Sequence, residues 1–182
     1  MPRSTRRAAI DVDSVDGSID HGIAEGGTSL LDHRLHLIQD YWQSKRRGSL
    51  LPARSDLLPE EIHSLLPNII IYDVIRPDGA GDTGNNLGQG YRYRVRLIGT
   101  QVAHLGGRDT TGLDLEETVV PANYENVYRR LTHVVDGREP NMGESRIYRP
   151  SRDFVRFCFI DLPLAGDGTI VDMILGGRFL ID

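Results

Sequence analysis

The side chains with chemistry to offer are few and scattered. Cys158 is the single cysteine, so no intrachain disulfide forms and a cysteine-based zinc site lacks ligands. His33 and His36 stand at i, i+3 spacing without a third ligand, and His63 reads as a surface residue. Ser29, Ser44, Ser49 and Ser145 lack the surroundings of a nucleophile elbow, and no Ser-His-Asp set can be assembled from spacing. Glu116 and Glu117 are adjacent, and neighbours on a short helix point apart, so they do not form the carboxylate pair of an acid-base enzyme. The run GAGDTG over residues 79–84 lacks the lysine and following Ser or Thr that a phosphate-cradling loop needs. These types and spacings point away from catalysis and toward recognition by apolar and aromatic surface.

The totals narrow the classes further. The chain has 182 residues, 39% hydrophobic and 26% charged, which suits one domain with a tail. A net charge of -5 disfavours a nucleic-acid binder, and Arg92, Arg94 and Arg96 read as the solvated face of a strand. No apolar run is long enough to cross a membrane, and the basic start MPRSTRR is not followed by the apolar stretch of a secretory signal. With one cysteine, the expected compartment is the reducing cytoplasm.

The elements that must position a binding surface centre on residues 91–112. Tyr91, Tyr93, Val95 and Leu97 alternate with the three arginines, the period-2 signature of a half-buried strand. Gly99 ends that strand. A short helix carrying Val102 and Leu105 follows and stops at Gly106-Gly107. Helices this short are unstable alone, so they must close over a sheet, and that closure builds a concave pocket.

In chain order, residues 1–30 are too poor in large apolar groups to fold and are expected to be a disordered arm. Residues 31–48 form a flanking amphipathic helix, and residues 49–182 the main domain. Within that domain, Pro59 opens a short helix with Ile62, Leu65 and Leu66 on its apolar side. Ile69 to Val74 is a strand, and Pro77 to Gly90 a long hairpin connection. Pro121 to about Asp136 is the longer helix, with Tyr124, Val127, Tyr128, Leu131, Val134 and Val135 on one face. Three strands close the chain, over residues 142–148, 154–162 and 169–180. The parity of the middle one is ambiguous, since Phe157 and Phe159 come with Asp161 on one face and Cys158 and Ile160 with Arg156 on the other; in the last, Val171, Met173 and Leu175 form the inner set. The class is α+β: a five-stranded antiparallel sheet with short helices and one longer helix over one face, plus the N-terminal flanking helix.

The segments YWQSKRRGSLLPARSDLLPEEIHSLLPNIIIYDV, YRYRVRLIGT with the following GGRDTTGLDLEE, and DLPLAGDGTIVDMILGG together resemble a PAS domain of the short single-domain bacterial kind. The resemblance covers roughly Leu35 to Gly177 and implies a sensory or signalling module with strand order 2-1-5-4-3, a cavity between sheet and helices, and dimers mediated by an N-terminal helix. PAS domains hold haem, flavin, small metabolites or nothing. A flavin photoreceptor of the LOV type needs an Asn-Cys-Arg-Phe motif on a central helix, where this chain reads QVAHLGGRD, and Cys158 lies in a late strand as apolar filler. A haem axial ligand would come from His133 on the longer helix, but His133 lies opposite the apolar face; His104 is no better placed.

Two functions follow as expectations. In the first, the module binds a small apolar ligand lined by Val95, Leu97, Leu105, Tyr124, Tyr128, Leu131, Met173 and Leu175, with the tyrosine hydroxyls as polar handles. In the second it binds no ligand and is a dimerisation or protein-docking module, with Leu35, Ile38, Tyr41 and Trp42 as the interface. The chain stops at Asp182, directly after its last strand, so output is expected to pass in trans to a signalling partner, from a homodimer. A third reading, a cone-shaped enzyme of the steroid-isomerase type, would rest on an inward Asp161 and is separated from a PAS domain by strand order.

Overall fold

The computed structural model describes residues 30–77, 90–148 and 154–181. All but one residue of the expected N-terminal arm, and most of the expected Pro77–Gly90 connection, fall outside these. Five strands, β1 (Ile69–Ile75), β2 (Arg92–Ile98), β3 (Asn141–Tyr148), β4 (Phe154–Leu164) and β5 (Met173–Leu180), form one sheet in the order β2-β1-β5-β4-β3. Every neighbouring pair is antiparallel. That order is the one expected of a PAS domain, and it sets the cone-shaped enzyme aside.

Helices cover both faces of the sheet. Helix α1 (Leu30–Ser44) lies on the outer face, whereas α2 (Thr100–Gly106), α3 (Leu115–Thr118) and α4 (Pro121–Gly137) close over the inner one. The α1 stripe Leu35, Ile38, Trp42 follows helical spacing, and all three are buried on the chain's own sheet. Trp42 donates its indole N–H to the Pro163 carbonyl at 2.8 Å. The pairing of β4 with β3 ends at Asp161, so Pro163 lies where β4 has no neighbour on that side, and its missing N–H costs nothing.

The pair Gly176-Gly177 in the central strand β5 lets both layers approach. A Cβ on Gly177 would stand 2.6 Å from Ile38 Cδ1 of α1. On the opposite face, a Cβ on Gly176 would meet Ile70 Cγ2 at 2.7 Å and crowd Arg178 and Asp161 at 3.0 and 3.1 Å. Alternation along β4 and β5 then sorts the faces. Phe157, Phe159 and Asp161 share the inner face with Gly176 and Arg178, while Cys158, Ile160 and Leu162 share the outer face with Leu175, Gly177 and Phe179.

Three expectations are corrected. Between Ile71 and Tyr72 the register slips by one, so Arg96 is the extra residue of a bulge in β2 and the alternation inverts beyond it. Leu97 is therefore exposed on the outer face, and Ile98 takes the inward position. The last strand begins at Met173, not residue 169, because Asp167 Oδ1 accepts the N–H groups of both Thr169 and Ile170 at 2.8 Å and holds them in a turn. Finally, residues 54–68 form three separate 3-10 turns where a helix from Pro59 is expected. Pro59 and Pro67 bracket a segment too short for α-helical propagation, and the Tyr41 hydroxyl takes the Leu58 N–H at 2.7 Å.

Candidate functional site

A cavity of about 1000 Å3 lies between the inner sheet face and the helices α2 to α4. Its walls are mostly apolar: Ile70 of β1, Val95 and Ile98 of β2, Val102 and Leu105 of α2, and Val119, Val127, Ile147 and Phe157 around the remainder. Polar groups reach it from Tyr72, Thr110, Asn123, Asn126 and Ser145. Arg108, Arg146, Glu116 and Glu117 line it, and so do a further two arginines, Arg130 from α4 and Arg178 from β5.

Those arginines share one carboxylate. Asp161 is wholly buried, and Arg178 Nη2 donates to its Oδ1 at 2.6 Å. Arg178 also donates through Nη1 to the carbonyls of Ile160 and Gly177. Arg130 Nε stands 2.8 Å from Asp161 Oδ2, an ion pair without the alignment of a hydrogen bond, so both atoms are buried with no hydrogen-bond partner among the described residues. The Arg130 guanidinium lies over the Phe159 ring, 4.0 Å from its centroid, and Tyr72 reaches Arg178. Burial acts against the charge on both guanidiniums. It lowers the pKa of Arg130, whereas for Arg178 the attraction of Asp161 prevails and raises it. Arginine starts so high that both stay protonated at neutral pH. Two cations and one anion therefore sit together, with one positive charge in excess.

Of the eight residues the sequence nominates as lining, Val95 and Leu105 border this cavity. Leu97 is turned out by the bulge. Met173 and Leu175 share the outer face with Gly177, opposite the cavity. Leu131 is buried in the core without reaching the cavity. Tyr124 and Tyr128 belong to an aromatic seam that ties α4 to β2: Tyr128 meets Tyr93 edge-on at 5.6 Å and stacks on Tyr124 at 5.8 Å. The Tyr93 hydroxyl bonds Thr132 at 2.9 Å, and burial raises its pKa. Tyr91 donates to Asp136 at 2.7 Å, and its pKa is pushed up to about 12 by burial, with Asp136 adding to the effect.

Leu35, Ile38 and Trp42 of the nominated interface are core residues of this chain, and Tyr41 is half-buried against Leu58. A dimer through that stripe would require α1 to leave its own sheet. Arg92 and Arg94 pair with Asp114 at 2.6 and 3.0 Å, and Arg96 with Asp73 at 2.6 Å, so the basic stripe is an ion-paired surface.

Cys158 and His133, the residues weighed for flavin and haem chemistry, do not line the cavity. Cys158 is buried on the outer face, away from the cavity, where no flavin adduct can form. His133 is exposed and is not part of the cavity lining. His104 alone of the described histidines reaches the cavity, from an exposed position.

The sequence reading missed Arg130, Arg178 and the surroundings of Asp161. The signal available was parity: Asp161 shares a face with Phe157 and Phe159, and Arg178 stands two residues after Gly176 in an otherwise apolar strand.

A family model described as PAS domain matches residues 32–178. Among solved structures, the PAS domain of Bordetella pertussis BvgS is 17% identical, covers 68% of this chain and 85% of its own, and has a TM-score of 0.47. A PAS domain from Colwellia psychrerythraea is 14% identical over 67% of this chain and 94% of its own, with a TM-score of 0.46. The Rhodobacter sphaeroides LOV protein is 14% identical over 68% of this chain and 67% of its own, with a TM-score of 0.44. No curated protein matches the chain. The family match over residues 32–178 shows that this chain belongs to the PAS domain family, whose members are sensory and signalling modules.

Proposed function

We propose that this protein is a sensory module that binds a small molecule in the cavity between the inner sheet face and α4. One observation carries the reading: a concave chamber of about 1000 Å3 lined by apolar side chains together with polar and charged ones, a form that suits a small-molecule site. The opposite face of the same sheet is filled by α1, so the chamber is not a general looseness of packing. A ligand seated there would touch β1, β2, α2 and α4 together, and its arrival would be felt on both sides of the inner layer.

The alternative, a ligand-free docking module acting through α1, loses its anchors, because Leu35, Ile38 and Trp42 are buried in the chain's own core.

Native beside denaturing mass spectrometry of the protein purified from its own host tests the proposal. The expected result is added mass of a small molecule that disappears on denaturation. Protein that is empty as purified, and whose melting temperature no small-molecule library raises, would contradict it.

A further inference from the structure

We propose that the molecule bound in this cavity is a monoanion, an apolar body carrying one carboxylate, and that Arg130 with Arg178 behind it reads the carboxylate. The inference rests on the ligand-binding reading above and names the ligand's chemical class.

Charge balance is the first argument. Arg130 and Arg178 face the single carboxylate of Asp161, and taking an ion out of water is costly unless a counter-charge meets it. One guanidinium charge is left over. A single anionic group completes that balance, whereas a polyanion would overshoot it.

Hydrogen bonding is the second argument. Arg178 is spent on Asp161 and two backbone carbonyls. Arg130 is less committed: its Nε meets Asp161 Oδ2 at 2.8 Å without hydrogen-bond alignment. A planar guanidinium that lines the cavity with its face set on Phe159 is shaped for bidentate contact with a carboxylate. The third argument is the wall. Val95, Ile98, Val102, Leu105 and Val127 offer no hydrogen bonds, so the body of the ligand is apolar.

The test compares matched acids and amides. Straight-chain acids from butanoate to dodecanoate and phenylacetate are titrated against the protein beside their primary amides, with melting temperature and calorimetric Kd as readouts. The expected result is that some acids bind and their amides bind about tenfold or more weaker. Arg130→Met should remove the acid's advantage over its amide and R130K should restore part of it. The wild-type comparison stands even if R130M fails to fold. Amides that bind as well as acids would overturn the inference while leaving a ligand site in place. If no acid binds and native mass spectrometry finds a neutral molecule, the inference alone falls. If the protein is empty and nothing binds, both fall.

Discussion

The two faces of the sheet use the same strands for opposite ends. The outer face is sealed: Ile38 presses against Gly177, Trp42 is buried and hydrogen-bonded to Pro163, and Arg34 covers the Phe179 ring at 4.5 Å. The inner face holds its helices off the strands, borders a chamber and buries the charged pair Asp161 and Arg178, with Arg130 half-buried beside it. Close packing is the stable default for a protein interior. The hollow, charged side is therefore the side shaped by something other than stability, and the contrast separates what holds this fold together from what it does.

Truncation on the sealed face gives the largest expected effect. Trp42→Ala removes a fully buried aromatic and its hydrogen bond and should cost about 3–5 kcal/mol in urea unfolding. On the hollow face, Asp161→Asn should also cost about 3–5 kcal/mol, because it leaves the buried Arg178 and the half-buried Arg130 without a counter-charge. Arg130→Met should behave differently from both. It leaves Arg178 and Asp161 as a balanced pair, and unfolding stability should stay within about 1 kcal/mol of wild type. A loss as large as that of Asp161→Asn would make Arg130 a structural element and erase the contrast between the faces.

The smallest effect lies at the sheet edge. Hydrogen bonds from Arg92 and then Arg94 lower the pKa of Asp114, and their effect outweighs that of burial. A depressed carboxylate contributes stability above its unfolded pKa, near 4, and loses it as pH falls through the folded value. Asp114→Asn keeps an acceptor for the cap of α3 while removing the charge. Its small deficit at pH 7 should shrink in added salt and vanish in acid, as followed by urea midpoints at several pH values.

Much of the fold was legible in the sequence, because period 2 and period 3.6 mark strands and helices locally. The central strand β5 hid its orientation. In β5 the residues from Ile174 to Phe179 are all buried, so alternation of polarity carries no face label, and Met173 and Leu175 were assigned to the wrong side. Leu97 was misplaced by a bulge that exists only in the pairing of β2 with β1. The site was harder still. Patterning treats charged residues as surface, and the cavity face of α4 runs through Asn123, Val127 and Arg130, while the apolar spacing highlights Tyr124, Tyr128 and Leu131. The parity of β4 offered Asp161 on one face and Arg156 on the other, so the sequence did not choose between them.

One spectrum observes both faces at once. Trp42 is the only tryptophan, so its indole N–H gives a single signal from the sealed face, and the arginine Nε–H signals include Arg130 in the chamber. On titration with a carboxylate probe that the acid and amide comparison shows to bind, the Arg130 Nε–H signal should shift with saturation, and the Trp42 signal should stay in place. A moving indole beside an unchanged Arg130 would place the ligand elsewhere and contradict the assignment of the chamber as the binding site.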